Sequence, residues 1–388
     1  MIISDTIKYI GVSDKKIELF EGQYPVPDGM TYNSYLILDE KIAVMDTVEA
    51  AFAEEWQENM QSVLNGRTPD YLIVQHMEPD HSANIRYFMT NYPNAKIVAS
   101  QKAFTMIKNF FGTDYSEQGI IIEDNDTLSL GKHTLTFYTA PMVHWPEVIV
   151  TYDSYDKVLF SADGFGCFGY PNTINEWIPR GRRYYMGIVA KYGAQVQALL
   201  KKLSGLDIQK ICSLHGAVID KSIGTCLNLY DTWSAYGPEE EGVVIAYTSI
   251  YGNTKKAVEL LSEKLRAEGE NNIVIYNLAQ CDISLAVTDA FRYSKLILAT
   301  PTYNGDIFPF MKSFIDHLTE RNYQKRKVAF IENGSWAPNA TKVMKSMLEK
   351  SKNLIYADTM VKIMSAMKEE NIQQIEELAK EMRLSPQL

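Results

Sequence analysis

His76-Met77-Glu78-Pro79-Asp80-His81 follows directly on the apolar run Tyr71-Leu72-Ile73-Val74 and crowds four potential metal-binding side chains into one six-residue turn. Polar groups packed that densely at the end of a buried strand are costly unless a cation or a hydrogen-bond network satisfies them. The chain has only six histidines, and His76, His81, His144 and His215 each sit just after an apolar, strand-like run. His144 ends Thr139-Ala140-Pro141-Met142-Val143-His144, Asp163 ends Val158-Leu159-Phe160-Ser161-Ala162-Asp163, and His215 ends Ile211-Cys212-Ser213-Leu214-His215. Loops at one end of a sheet present side chains to a common point, so these distant residues can converge on the 76 to 81 turn. The inventory is then four imidazoles (His76, His81, His144, His215) and three carboxylates (Glu78, Asp80, Asp163), with no thiolate. Seven donors exceed what one tetrahedral ion takes, and nitrogen plus oxygen without sulfur suits iron, manganese or a pair of zinc ions. Asp163 has two oxygens and can bridge two metals. A lone histidine at a strand end is more often structural than ligating, but the cluster together with its downstream partners reverses that reading. His133, in the turn Gly131-Lys132-His133-Thr134, and His317, beside Asp316, read as exposed or capping residues.

The global numbers bound the problem. At 388 residues the chain exceeds what one hydrophobic core usually organises, so two domains are expected, and 46% apolar content can fill both. A net charge of -10 and a pI near 5.2 argue against a nucleic-acid partner. No stretch approaches a membrane span, and Met1-Ile2-Ile3-Ser4-Asp5 lacks the features of a signal peptide, so a cytoplasmic protein is expected. The four cysteines, Cys167, Cys212, Cys226 and Cys281, form no Cys-x-x-Cys pair, which excludes an encoded zinc ribbon, iron-sulfur or rubredoxin-type module. Electrons, if needed, must come from another protein or a soluble cofactor.

The organisation changes near residue 240. Before it, the pattern predicts a strand pair over 31 to 48, helix 50 to 64, strand 71 to 75, helix 82 to 91, strand 96 to 99 and helix 101 to 111. Strands follow near 120 to 123, 134 to 139, 147 to 152 and 157 to 161, then helix 184 to 203 and strand 208 to 213. Tyr236-Gly237-Pro238-Glu239-Glu240-Glu241-Gly242 has the breakers and charge of a linker between domains at 1 to 240 and 243 to 388. After it, apolar runs at 243 to 247, 272 to 276, 295 to 299, 327 to 331 and 354 to 361 alternate with helical patterns at 254 to 268, 284 to 293, 309 to 319, 339 to 350 and 368 to 383. Five strand-helix units read as an α/β doubly wound parallel sheet.

That second domain carries its own signature. Thr248-Ser249-Ile250-Tyr251-Gly252-Asn253-Thr254 links the strand Val243-Val244-Ile245-Ala246-Tyr247 to an amphipathic helix. Hydroxyls and amides at a helix N-terminus cradle a phosphate, and Gly252 permits the tight turn. Neither a Walker loop nor a Gly-x-Gly-x-x-Gly fingerprint is present. Pro301-Thr302-Tyr303-Asn304-Gly305-Asp306 and Asn333-Gly334-Ser335-Trp336 fall at the same edge of the sheet, with Tyr303 and Trp336 available to stack on a flavin ring. The alternative is a hydroxyl-rich turn that only caps a helix.

The spacing His-x-Glu-x-Asp-His with a later His, Asp and His resembles the metallo-β-lactamase superfamily, whose hydrolases usually carry His where this chain has Glu78. An anionic oxygen donor there hardens the site and favours iron in higher oxidation states. The 248 to 254 loop resembles the flavodoxin FMN-phosphate loop. The two together resemble the flavodiiron proteins, or A-type flavoproteins, over essentially the whole chain. That resemblance implies a metallo-β-lactamase-like αβ/βα sandwich followed by a flavodoxin-like domain. It also implies FMN and two iron ions, one held by His76, Glu78 and His144, the other by Asp80, His81 and His215, with Asp163 bridging. Many such proteins have a Gly-Trp third loop, where Ser335-Trp336-Ala337-Pro338 stands here.

What the resemblance implies for function is reduction of dioxygen to water, or of nitric oxide to nitrous oxide. FMN can hold two electrons and the iron pair two more. Trp145, Phe165, Phe168 and Tyr170 are candidates to line a dry pocket. A linker of about seven residues gives the flavin little reach to its own irons, and the resemblance implies a head-to-tail homodimer or dimer of dimers. Residues 243 to 388 hold 19 Lys and Arg against 17 Asp and Glu, leaving 19 against 31 for the rest, so an acidic donor such as rubredoxin meets less repulsion at the flavin half. Two rivals stand beside this. One is a dizinc hydrolase with an accessory flavodoxin-like domain, and the other a flavin carrier with a structural metal.

Overall fold

The computed structural model describes residues 3–383. The chain divides into two compact units, with the break between Asp231 and Thr232. Among the described residues no helix is long and apolar enough to cross a membrane.

The first unit is built on two sheets. One runs in the order Ile7–Tyr9, Tyr35–Ile37, Ala43–Met45, Tyr71–Ile73, Lys96–Ser100, Gly119–Ile122; the other runs Thr127–Ser129, Thr134–Thr139, Ile149–Asp153, Val158–Phe160, Lys210–Cys212. Their facing sides meet in one apolar core: Ile37, Met45, Ile73 and Val98 from the first sheet pack with Leu135, Phe137, Ile149 and Phe160 from the second. Helices such as Ala53–Leu64 and Gln101–Phe111 complete the unit, Ala53–Leu64 burying Trp56 and Met60. This is the expected mixed α/β sandwich. Thr134–Thr139 and Val158–Phe160 both run antiparallel to Ile149–Asp153, while Lys210–Cys212 runs parallel to Val158–Phe160. The three strands that precede His144, Asp163 and His215 therefore end at one edge of their sheet.

Several elements differ from the sequence expectation. The helix expected over 184 to 203 is four pieces: Ile174–Tyr184, a π-helical turn Tyr185–Val189, a 3-10 turn Ala190–Tyr192, and Gly193–Leu203. Pro179 reads as a breaker yet sits inside the first piece, which Thr173 starts by accepting a hydrogen bond from the Glu176 amide. The helix Ile223–Ser234 and the N-terminal strands of two or three residues were not expected, being too short or too poorly patterned to show a period. His133 is neither exposed nor a cap. It is fully buried, with Nδ1 3.0 Å from Asp153 Oδ2 and Nε2 3.0 Å from Thr6 Oγ1. A buried imidazole takes such partners because both ring nitrogens must be satisfied. His317 lies half-buried on the helix Pro309–Glu320, engaged by Arg321.

The second unit is the expected doubly wound sheet, in the order Ile273–Asn277, Glu240–Tyr247, Tyr293–Tyr303, Arg326–Gly334, Leu354–Tyr356, with all these pairings parallel. Its first strand starts at Glu240, inside the breaker-rich stretch, with a register shift before Val243. The run expected as one strand over 354 to 361 is two, Leu354–Tyr356 and Val361–Met364, each paired with Arg326–Gly334. Between them the Glu381 carboxylate takes the amides of Asp358 and Thr359 at 2.8 and 2.9 Å, and so replaces the ladder there. The order of strands reverses between Glu240–Tyr247 and Tyr293–Tyr303, which opens a crevice beyond their C-terminal ends.

Candidate functional site

The turn after Tyr71–Ile73 owes its shape to Pro79. Glu78 is extended, and Pro79 opens a one-turn helix, Pro79–Ser82, at a position whose missing N–H would have had no partner anyway. Asp80 and His81 then lie in that turn. Thr47 donates to the His81 carbonyl at 2.6 Å and Ser82 to the Met77 carbonyl at 2.8 Å, which fixes the turn against the sheet.

All seven expected donors converge, and they do so as two groups. His76, Glu78, His144 and Asp163 form one; Asp80, His81 and His215 form the other. Asp163 faces both. Its Oδ2 lies 3.0 Å from His144 Nε2 and 3.5 Å from His76 Nε2, while its Oδ1 lies 3.3 Å from His81 Nε2 and 3.8 Å from His215 Nε2. Glu78 Oε2 is 3.2 Å from His76 Nε2 and 3.1 Å from His144 Nε2. Asp80 Oδ2 is 3.3 Å from the Nε2 atoms of both His81 and His215.

The arrangement suits cations better than a hydrogen-bond network. Both oxygens of Asp80, Asp163 Oδ1 and His81 Nδ1 are buried without a hydrogen bond among the described residues, although imidazole nitrogens stand within reach of Asp80 Oδ2 and Asp163 Oδ1. His81 Nε2 and His215 Nε2 face each other at 3.0 Å, so at most one proton can lie between them. Atoms close together but poorly directed at one another are what ligands look like when they aim at a shared ion. The electrostatics agree. Burial pushes the Glu78 carboxyl up, yet His144 and His76 outweigh it and bring it down to about 2. Burial pulls His144 down, yet Asp163 and Glu78 raise it to about 9. The carboxylates thus demand positive charge beside them. Side-chain exposure is 18% for Glu78 and 14% for Asp80 against 2% or less for His76, His81, Asp163 and His215, so the cage opens on the Glu78–Asp80 side.

The surroundings correct some expectations. Trp145 does stand edge-on to His76, ring centres 5.3 Å apart. Phe168 lies one layer back, against Phe20 and Tyr184; Phe165 stacks on Tyr230; and the Tyr170 hydroxyl is tied to the Met30 carbonyl. The rings next to His215 are Phe20, Tyr32 and Tyr184, none foreseen because they lie far from the ligands in sequence. Also unforeseen are three groups that hold the ligands in place. Glu147 accepts from His76 Nδ1 at 2.8 Å, and the Thr31 carbonyl accepts from His215 Nδ1 at 2.7 Å. The third is Asp46, whose carboxylate takes the Gln75 amide at 2.7 Å, the Gln75 side chain at 2.9 Å and the His76 amide at 3.2 Å. Glu147 was within reach of sequence reading, as an acidic residue three positions after His144 inside an apolar stretch.

In the second unit a cleft of about 470 Å³ opens at the crevice. Ser249, Tyr251, Asn253, Thr254, Pro301, Thr302, Tyr303, Asn304, Gly305, Asn333, Gly334, Ser335 and Trp336, all named from sequence, line it. Ile250, Ala337 and Ser365 join them. Thr248 does not: its buried hydroxyl is held by Thr300 at 2.7 Å. Gly252 shapes the loop rather than the wall. Its φ of +88° puts the helix Asn253–Ala267 just behind the turn, and Ser249 Oγ accepts from the amides of Gly252 at 3.1 Å and Lys255 at 3.3 Å. A helix N-terminus with a hydroxyl-bearing loop suits a phosphate, and the aromatic rim suits a flat ring.

Comparison with known proteins agrees with the fold of both parts of the chain. A model described as ODP family beta lactamase matches residues 30–216, and one described as a flavodoxin domain matches residues 244–382. A protein of Methanocaldococcus jannaschii is 30% identical, the match covering 98% of this chain and 97% of that one. The nitric oxide reductase of Moorella thermoacetica is 28% identical, covering 98% and 97%. Among solved structures, rubredoxin oxygen:oxidoreductase from Desulfovibrio gigas superposes with a TM-score of 0.92 at 26% identity, covering 99% of this chain and 97% of that one. The flavodiiron protein from Giardia intestinalis has the same fold, with a TM-score of 0.91 at 24% identity and coverage of 97% and 94%.

Proposed function

The chain belongs to the flavodiiron proteins, and from that premise we propose that it reduces dioxygen to water with electrons passed from an external donor through FMN to a diiron centre. The observation that carries this reading is the division of Asp163 between two otherwise separate donor groups, which is the arrangement a bridged metal pair requires. His76, Glu78 and His144 would hold one iron and Asp80, His81 and His215 the other. When bound, FMN and the two irons supply storage for the four electrons of O2 + 4e⁻ + 4H⁺ → 2H2O. The chain's own residues do the rest. Phe20, Tyr32, Tyr184 and Trp145 wall the imidazoles from bulk water, and the partly open Glu78–Asp80 side admits a small gas. The loop from Ser249 to Thr254 would hold the FMN phosphate, with Tyr303 and Trp336 beside the ring.

A second substrate is favoured by the name of the Moorella thermoacetica relative: nitric oxide, in 2NO + 2e⁻ + 2H⁺ → N2O + H2O. Each donor group would hold one iron, and each iron one nitric oxide. The purified protein, reduced through rubredoxin under argon and then offered each gas in turn, decides. Oxygen uptake with about four electrons per O2 is the expected result, turnover of nitric oxide alone moves the assignment to the second reading, and consumption of neither overturns both. Metal analysis separates the hydrolase rival, since two irons and one FMN per chain support the reductase and zinc without flavin the hydrolase.

The working unit in this reading is a head-to-tail homodimer with a rubredoxin-like donor. Tyr251 and Trp336, 92% and 82% exposed at the flavin cleft, with Ile250 and Tyr303 beside them, make an apolar rim of the kind proteins cover with a partner. Light scattering should find the active species at twice the 44.1 kDa chain mass or a multiple of it, and an active monomer would contradict the dimer.

A further inference from the structure

Ligand for ligand, the two donor groups are the same. Each has two imidazoles, one carboxylate of its own and one oxygen of Asp163. Direct contacts alone would make the two metal positions electronically alike. What stands behind the imidazoles differs. His76 Nδ1 donates to Glu147 Oε1 at 2.8 Å, and both side chains are wholly buried. Glu147 Oε1 also takes the Met77 amide at 2.8 Å, which holds it in place, while its Oε2 is buried with no hydrogen bond. On the other side His215 Nδ1 donates to the neutral Thr31 carbonyl at 2.7 Å, and His81 Nδ1 meets no acceptor among the described residues. Among the described residues a buried carboxylate therefore accepts from the outer imidazole nitrogen of a histidine in one group and not in the other; Asp46, also buried, accepts only from Gln75 and the His76 amide.

We infer that Glu147 is a positioning residue that makes the two irons unequal, holding the ion at His76, Glu78 and His144 ferric at potentials where the ion at Asp80, His81 and His215 is already ferrous. This rests on the diiron reading above. A carboxylate drawing on the Nδ1 proton makes the imidazole a stronger donor through Nε2 and fixes its ring. Its buried charge acts through a medium of low polarity, so the higher oxidation state gains more than the lower. The Asp80, His81 and His215 group would hold the ion that takes the first electron from the external donor, Fe(III) + e⁻ → Fe(II), and the His76, Glu78 and His144 group the ion that takes the second. Gln at position 147 keeps the size and an acceptor oxygen for both His76 Nδ1 and the Met77 amide but removes the charge, so it isolates the electrostatic part.

The test is a redox titration of the iron- and FMN-loaded protein under argon, with dithionite and mediators, following the electron paramagnetic resonance of the half-reduced iron pair apart from the flavin signal. The wild type should show two one-electron steps with the half-reduced signal between them. Glu147→Gln should move the lower step up toward an unmoved upper step and cut the maximum half-reduced signal by about twofold or more. Should that variant load iron poorly, Glu147→Asp, which keeps the charge, should load and restore the separation. A single two-electron step in the wild type overturns the inference, as does a Gln variant that moves the upper step or neither, or an iron-loaded Asp variant with merged steps. Fewer than two irons per chain in wild type grown with ample iron is a different failure, that of the diiron reading itself.

Discussion

Among the described residues, Asp163 is the one whose carboxylate reaches both candidate donor groups. Asp163→Asn removes the shared charge while keeping the size, so turnover should fall by at least about 100-fold and bound iron below two per chain, with the circular dichroism unchanged. Full activity at full iron content would show that the bridge is dispensable. Asp46 does a different job at the same scale. It is buried with a φ of +54°, a backbone state that Asp and Asn tolerate better than most, and its carboxylate gathers three N–H groups that set the start of the 76 to 81 turn. Asp46→Ala leaves those donors without partners and should cost about 3 kcal/mol in chemical denaturation, whereas Asp46→Asn should cost clearly less. Asp46 could not be picked as an orienting group from sequence, because a carboxylate that holds a ligand turn looks like any other acidic residue until the chain folds, whereas Glu147 stands out only by its place in an apolar stretch three positions after His144.

Among the elements, the loop ahead of the helix Asn253–Ala267 depends on Gly252. A Cβ there meets no atom within 4 Å, so the obstacle to Ala is the φ of +88° alone. Gly252→Ala should weaken FMN binding by about 5- to 30-fold in a fluorescence titration of the flavin-free protein, and unchanged affinity would remove the loop from the phosphate site. The buried His133 ties the strand Thr134–Thr139 to Ile149–Asp153. Burial pulls its imidazole down, but the hydrogen bond and charge of Asp153, helped by Asp156 and Asp39, leave it above the usual value. A group whose folded value is raised stabilises fully below the unfolded value of about 6.5 and loses that contribution as the pH climbs through the folded one. The stability gap between wild type and His133→Gln should therefore narrow above about pH 6.5 in denaturation curves, and a constant gap would refute the ion pair. The strand-helix alternation of the second unit was legible to within a few residues because its central strands, Glu240–Tyr247, Tyr293–Tyr303 and Arg326–Gly334, are nearly continuous buried runs and its helices are amphipathic. The region 174 to 203 was not, since Pro179 inside a helix and a π-helical turn are tolerated only through tertiary packing.

For the whole molecule, two units with separate cores imply two ligand-linked stabilities. All seven candidate metal donors belong to the first unit and all the cleft-lining residues to the second. Stripping iron with a chelator should lower the calorimetric transition of the first unit and leave the second in place, and stripping FMN should do the reverse. One transition moving as a block with either ligand would show that the units unfold together. The convergence of the seven candidate donors was legible without coordinates because four of them crowd one six-residue turn and the other three each close an apolar run. The loops that line the cleft were legible for the same kind of reason, since glycine and hydroxyl residues at strand ends are a local requirement of phosphate binding. Folding alone decided how the donors pair into two groups, which oxygen of Asp163 faces which, and that Glu147 backs one histidine while a backbone carbonyl backs another. Those are distances between segments separated by tens to hundreds of residues, and a linear order of side chains contains no such distances until the two sheets close on each other and bring their edges into register.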